Sequence, residues 1–412
     1  MKSPIAGRRI KSKKCDRYMR ILLITNFFPP TNIIASFRMY SFATYLPDFG
    51  VKVDVLTPRR SGSLSLDLSN IDVHYPLELP VSFQFATRRN VVKQVLKHTG
   101  IRAFRHYATS AFYHSSLQYA SKLDKNRYSA ILASYPLEDS LRIGYALSRR
   151  WDTPLIVDYR DLWLQNGYAD WTPMDALFIR ILEGRINRHA SLVIASTRGA
   201  TEKLQKRFGK KVATIYNGFW DEEPRGKQNR DAAMQKDRIT FCYCGSLYGG
   251  KRPLEWLFPL LAQDKKYHLK VAVLEEIDAN VVKRYAEASG VKQQVELYVG
   301  LTSAEADRLE VDSDVLILLN LPHARGNDVI PAKFYRHLLK GRFIMGLGHK
   351  NDEVGAILRE LNAGIYLSHR DDINLFFGAY DGWNIDKRRD IGFYSRKAQA
   401  GRLAAEMMSL KY

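Results

Sequence analysis

The residues best suited to bind an anion lie in one stretch of the second half of the chain, 327–344. An apolar run at 314–320 leads into a polar loop that holds Asn327 and Asp328. Pro331 then opens a helix that carries Lys333 and Arg336. Free backbone N–H groups and the helix dipole attract anions at such a helix start, and open α/β sheets bind ligands at their strand ends. The pattern predicts a diphosphate site. An ordinary basic surface helix, with Asp328 as its cap, is the alternative.

A second cationic segment, GSLYGGKRP at 245–253, follows another apolar run. Its glycines, beginning with Gly245, let the backbone approach an oxygen-rich ligand. Lys251 and Arg252 could then neutralise the charge that develops on a departing diphosphate. The alternative is a glycine-rich turn with solvated cations.

The first half offers a third set of polar groups. The segment VDYRDLW ends an apolar run with Arg160 and Asp161 side by side, followed by Trp163. Opposite charges at a strand end are typical of a cleft rim, and Trp163 could stack on a sugar ring; a structural ion pair and a core tryptophan are the alternative. Arg38, early in the first helix, could bind a phosphate or pair with an acid across the cleft.

Elements that alternate between strand and helix must position these groups. Continuous apolar runs such as MRILLIT at Met19–Thr25 are typical of buried parallel strands. Helices are predicted between them, at about 36–49, 138–150, 173–190, 198–208 and 395–410. Strands that alternate with helices imply parallel sheets. The fold class is α/β, with two facing doubly wound domains and a deep cleft between them.

The domain boundaries follow from composition. Residues 1–17 form a basic leader without the apolar segment of a secretory signal, and 18–220 form the first domain. The second domain is 221–390. It begins with a charged linker at 221–237, marked by Pro224 and Gly226. A last helix within 391–412 crosses back to the first domain.

The chain has 412 residues and a net charge of +20. Residues 1–220 hold 34 lysines and arginines against 16 acids, whereas the remainder holds 29 against 27. The first half therefore faces a polyanion or an anionic membrane. Three cysteines provide no disulfide framework and indicate reduced thiols in the cytosol. No apolar run approaches the ~20 residues of a membrane span.

Residues 83–128 interleave aromatic and basic side chains, with Asp124 as the only acid. Such a segment could lie on an anionic membrane, bind single-stranded nucleic acid, or form a helical pair with its aromatics in the core. Nucleic-acid binding is disfavoured because no RNA-binding motif is present. The spacing of the three histidines does not suggest a metal set.

The order of these motifs resembles the two-domain GT-B glycosyltransferases of the retaining family 4 type. The resemblance rests on RILLITNFFPP with Arg38, VDYRDLW, YNGFW at 216–220, GSLYGGKRP and the helix IPAKF…LLKGR, and it runs from about residue 20 to the C-terminus. It implies two Rossmann-like domains and transfer of a sugar from a nucleotide donor, with retention and without a bound metal or other cofactor.

The resemblance also assigns positions. Asp328 and Arg336 stand where the family has a Glu-x7-Glu pair, Ser246 stands where it has an arginine, and Tyr135 stands where it often has a histidine. These departures support an alternative function, a catalytically altered homologue that acts as a membrane-surface scaffold or binding protein.

The site predictions fall into three groups. The candidate catalytic residues are Asp161, Lys251 and Asp328. The candidate donor-binding residues are Gly245, Lys251, Arg252, Asn327, Asp328, Lys333 and Arg336. The candidate acceptor-binding residues are Arg38, Tyr135, Arg160 and Trp163. The expected partners are a nucleotide sugar, a glycan or lipid-linked acceptor and an anionic membrane. The expected location is the cytoplasm, with peripheral binding to the inner face of the membrane. The expected role lies in surface polysaccharide or glycolipid synthesis.

Overall fold

The computed structural model describes most of the chain. The described residues are 19–79, 111–166, 171–223, 237–321, 329–350, 353–381 and 383–410. Asn327, Asp328 and the larger part of the 83–128 segment lie outside them.

Seven parallel strands form the first sheet, in the order β3-β2-β1-β4-β5-β6-β7. The strands are β1 Met19–Ile24, β2 Val51–Leu56, β3 Asp72–His74, β4 Ala130–Tyr135, β5 Leu155–Tyr159, β6 Leu192–Ala195 and β7 Val212–Thr214. Leu23 of β1 lies opposite Val55 on one side and Leu132 on the other. Strand order reverses between β1 and β4, which is where such sheets bind ligands.

Six parallel strands form the second sheet, in the order β10-β9-β8-β11-β12-β13. These strands are β8 Ile239–Cys244, β9 Tyr267–Val273, β10 Val295–Val299, β11 Val315–Leu319, β12 Phe343–Leu347 and β13 Gly364–Leu367. The order reverses between β8 and β11. The predicted fold class, two doubly wound α/β units, is confirmed.

Helices connect the strands. They are α1 Ile34–Tyr45, α2 Ala111–Tyr119, α3 Glu138–Trp151, α4 Pro173–His189, α5 Arg198–Phe208, α6 Phe258–Leu261, α7 Glu276–Ala288, α8 Ser303–Val311, α9 Ala332–Lys340, α10 Glu353–Leu361, α11 Leu375–Asp381 and α12 Arg396–Met408.

Local sequence explains most helix ends. Thr172 and Asp175 form a reciprocal capping box at the start of α4. Gly341 ends α9 in the left-handed conformation. The first helix differs from the prediction: it ends at Tyr45, and Leu46–Phe49 is a turn of 3-10 helix. Pro47 lacks a backbone N–H and disrupts the α-helical hydrogen bonding there.

Apolar side chains fill both faces of each sheet. One cluster under the first sheet includes Met39 and Phe42 of α1 together with Leu403 and Met407 of α12. The last helix therefore packs on the first domain, although the second sheet precedes it in the chain. Phe112 of α2 is buried in the cluster on the opposite face, as expected for an aromatic in the core.

The described helices include none that combines the length and the apolar character needed to span a bilayer.

Candidate functional site

A cavity of about 500 Å³ lies between the two sheets, where the carboxyl ends of their strands face each other. This volume is within the usual range for small-molecule sites. Its walls come from both halves of the chain, and include Arg160, Asp161 and Asn217 on one side and Arg252 and Lys333 on the other. A ligand in it would lie between the two domains.

Lys333 lies beside Arg252 at the second-domain wall. It lies in the first turn of α9, so that the start of that helix and its N–H groups face the same cavity. Its Nζ donates to the carbonyl oxygen of Cys244 at 3.1 Å and sits 3.9 Å from the centroid of the Tyr243 ring. Burial, followed by repulsion from Arg252, lowers the pKa of Lys333 to about 7. Among the described residues no carboxylate lies within 4 Å of this nitrogen.

The glycine-rich turn after β8 forms the adjacent wall. A Cβ added to Gly245 would lie 3.0 Å from the Nζ of Lys333, and the φ of Gly245 is +150°, so a larger residue would crowd the amine. Tyr248, 56% exposed, adopts a φ of +53°, a conformation that non-glycine residues rarely take. The guanidinium of Arg252 lies 4.8 Å from the Tyr248 ring centroid. Strained residues of this kind concentrate at functional sites.

Asp278, which no sequence motif identified, holds this turn in place. Its carboxylate accepts hydrogen bonds from Leu247 N at 2.7 Å, Gly249 N at 2.9 Å and the Ser246 hydroxyl at 2.9 Å. Asp278 is buried in the first turn of α7. Its sequence signal, an acid in a first helical turn, is common to many helices and carries no information about the turn it supports.

The first-domain wall contains the predicted pair Arg160 and Asp161, which are in direct contact. Ser196, at the end of β6, also lines the cavity and donates its hydroxyl to the Arg160 carbonyl at 2.7 Å. Exposed Ile34 adds an apolar group to the same wall. Sequence reasoning identified Arg160 and Asp161 and missed Ser196 and Ile34.

Arg38 is buried and does not line the cavity. Its guanidinium pairs with Asp158 at 2.7 Å and donates to the carbonyl oxygens of Ile215 and Tyr216 at 2.8 and 3.1 Å. Arg38 was predicted either to bind a phosphate or to pair with an acid across the cleft. The structure shows an ion pair, but its acid, Asp158, belongs to β5 of the same domain. Arg38 fixes the backbone that leads out of the first domain.

Tyr135 and Trp163 are buried in the first domain and do not line the cavity. Trp163 is fully buried, and its ring stacks on that of Tyr135 with centroids 5.6 Å apart. Burial raises the pKa of the Tyr135 hydroxyl well above its ordinary value. An indole inside the core cannot stack on a sugar ring, so the structure contradicts acceptor binding by Trp163.

Two predicted donor residues lie outside the cavity lining. Lys251 is exposed to solvent at the second-domain turn. Arg336 pairs with Asp307 of α8 and does not line the cavity. Lys340, one turn later, pairs with Asp307 at 2.7 Å and with Glu310. These pairs join α8 to α9.

Glu353 of the second domain contacts the first domain directly. Glu353, at the start of α10, accepts hydrogen bonds from Arg198 N at 3.0 Å and Gly199 N at 3.2 Å, at the start of α5. Tyr216 donates its hydroxyl to the same carboxylate at 2.6 Å. The helix dipole of α5 favours a negative charge at this point. The contact fixes the spacing of the two domains beside the cavity.

The comparisons with known proteins agree with this architecture. The family model of the glycosyl transferase 4-like domain matches residues 35–218. Sucrose-phosphate synthase from Thermosynechococcus elongatus has a similar structure, with a TM-score of 0.66 and 12% identity over 95% of this chain and 100% of that one. The lipopolysaccharide outer core galactosyltransferase WaaB, in its apo form, gives 0.62 and 12% over 95% and 100%.

A third similar structure contains a ligand. The Anabaena protein HepE in complex with UDP-glucose has a TM-score of 0.56 and 16% identity, over 94% of this chain and 95% of that one. No curated protein matches the chain in sequence. The protein therefore has the GT-B fold. The glycosyl transferase 4-like model covers most of the first domain, and the predicted resemblance to the GT-B glycosyltransferases of the family 4 type is confirmed.

Proposed function

We propose that the protein is a glycosyltransferase that moves a sugar from a nucleotide donor to a glycan or lipid-linked acceptor with retention. The observation that carries this proposal is the amine of Lys333, a half-buried side chain that faces the interdomain cavity beside Arg252 and whose pKa is lowered by desolvation. Burying an amine without an acid partner is costly. A donor diphosphate would offset that cost, because it brings negative charge to the amine.

The glycine-rich turn suits the same ligand. Gly245 allows the backbone to approach Lys333 closely, and Asp278 presets the turn before a donor arrives. Groups that are fixed in advance need no reorganisation when charge develops on the leaving diphosphate, and this is where most of the rate enhancement would originate. The UDP-glucose that HepE binds is a donor of this chemical class.

Retention follows from the resemblance to the family 4 enzymes. In a front-face reaction the donor phosphate would help to take the acceptor proton, while Asp161 at the opposite wall and Asp328 in the preceding loop would orient hydroxyl groups. The protein supplies charge stabilisation and a cavity from which a bound substrate excludes water. We propose that no metal takes part; transfer is then expected to proceed equally with and without EDTA.

The acceptor is proposed to occupy the first-domain wall. Ile34 leaves apolar surface exposed there, at 42%, and Leu137, which follows the adjacent strand β4 outside the cavity lining, is exposed to the same extent. Together with the positive charge of the first half, this surface suits a lipid-linked acceptor at the cytoplasmic side of an anionic membrane, in the synthesis of a surface polysaccharide or glycolipid.

A thermal-shift screen with UDP-, GDP- and other nucleotide sugars tests the proposal. At least one donor should raise the melting temperature, because a ligand that binds only the folded state stabilises it. The absence of a shift with every donor would remove the enzyme proposal. A donor that binds without hydrolysis or transfer would favour the alternative scaffold function, for which the pairing of Arg336 with Asp307 is the structural support.

A further inference from the structure

Helix α4 carries an apolar stripe on its solvent side. Met174, Leu177 and Ile181 are exposed at 47, 50 and 38%. They are spaced by three and four residues, so they share one face of the helix. Arg185 and Arg188 continue the same spacing toward the C-terminus. Together these five positions, the α4 stripe, occupy about a quarter of the helix circumference.

The exposed positions of α4 carry no acid. Its two acids, Asp175 and Glu183, are buried on the opposite face, where Glu183 pairs with Arg207 at 2.6 Å. Arg185 and Arg188 form no ion pair with any described residue. The stripe therefore presents uncompensated positive charge next to three aliphatic side chains.

The position of α4 links this stripe to the cavity. Strand β5 ends at Tyr159, and the chain passes through Arg160 and Asp161 in the cavity wall before α4 begins at Pro173. The apolar part of the stripe lies in the first half of α4, and the arginines lie in its last turns.

We propose that the α4 stripe lies on an anionic lipid surface and brings the first-domain wall toward acceptors in that surface. Aliphatic side chains enter the headgroup layer while arginines pair with lipid phosphates, as in interfacial amphipathic helices. A protein partner fits less well, because three aliphatic side chains fall well short of the ~800 Å² that each partner buries in a stable interface. A second copy would bring the same positive charge to the contact.

The inference rests on the proposed function for its purpose, but the contact itself can be measured with lipid alone. In co-sedimentation, the full chain should bind vesicles of phosphatidylcholine mixed with phosphatidylglycerol, and bind weakly to phosphatidylcholine alone. The triple variant M174Q/L177Q/I181Q should bind the mixed vesicles about tenfold more weakly, because it loses the three apolar side chains that enter the headgroup layer. R185E/R188E should lose about tenfold, and most of the salt sensitivity.

The matched control is L375Q/M408Q, which removes aliphatic side chains that are at least as exposed, at 61 and 57%, but lie outside α4. It should bind like the wild type. A donor-induced thermal shift in every variant verifies that the fold and the donor site are intact. Equal binding by the wild type and both α4 variants, or no binding of anionic vesicles by the wild type, would overturn the proposal. Vesicle binding by a chain that responds to no donor would sustain it while the proposed enzyme function fails.

Discussion

At the scale of single residues, Lys333 distinguishes the site from an ordinary basic surface. Its side chain is half-buried, and its amine donates to one carbonyl oxygen at 3.1 Å and lies against the Tyr243 ring. Burial and the nearby Arg252 both disfavour its charge, which lowers its pKa to about 7. An anion in the cavity would reverse this preference and raise the pKa again.

Donor affinity should therefore depend on pH. Since the pKa is raised in the complex, the contribution of Lys333 is complete below about pH 7 and decreases as pH rises toward the pKa of the complex. Titration calorimetry with a nucleotide sugar from about pH 6 to about pH 9 should show affinity falling by up to about tenfold per unit above pH 7.

The variant K333M provides the control for this experiment. It should bind the donor more weakly at neutral pH. It should also show little pH dependence, because methionine carries no titratable amine and the guanidinium of Arg252, which remains in the cavity wall, does not titrate in this range. A wild-type affinity that is constant across the same range would contradict the assignment of the amine to the donor phosphates.

At the scale of elements, the glycine-rich turn depends on a helix that lies elsewhere in the sequence. Asp278, in the first turn of α7, accepts two backbone N–H groups and one hydroxyl from the turn that follows β8. Hydrogen bonds to a charged acceptor contribute more than those to a neutral one.

The substitution D278N should loosen this turn. The amide keeps the shape of the side chain but removes its charge and half of its acceptors, and we expect about tenfold weaker donor binding. E276Q, in the same first turn but exposed to solvent, is the matched control and should bind normally. Unchanged affinity in D278N would show that the turn is stable without the carboxylate.

The sequence predicts the elements better than the side-chain environments. The helix predicted at 173–190 is observed at Pro173–His189, because Thr172 and Pro173 mark its start. The central strands, such as β1 and β11, are apolar runs that local patterning reveals. Trp163 and Arg38 look like binding residues in the sequence, but both are buried.

Long-range contacts explain the remaining differences. Asp158 lies 120 residues from Arg38 in the chain, and Asp278 lies 29 residues from Gly249. Local spacing carries no information about such partners. Lys333 lines the cavity, and its position after Pro331, in the first turn of a helix at a strand end, made it a candidate for anion binding; its donor-binding role stays a prediction.

At the scale of the whole molecule, two sheets that each have their own core are joined at one junction. Arg38 fixes the backbone at Ile215 and Tyr216, α12 returns to pack on α1, and Glu353 bridges from α10 to α5. These contacts hold the two walls of the cavity beside each other. A donor bound to one wall would thereby face an acceptor bound to the other.

The central claim, that a nucleotide-sugar diphosphate binds in this cavity at Lys333, is tested most directly by comparing two lysines. Calorimetric titration of the wild type, K333M and K251M with the donor found by thermal shift measures the affinity of each. Lys333 lines the cavity and Lys251, at the neighbouring turn, is exposed outside it. The structure predicts a loss of at least about tenfold for K333M and near-wild-type affinity for K251M. Wild-type affinity in K333M would contradict the claim.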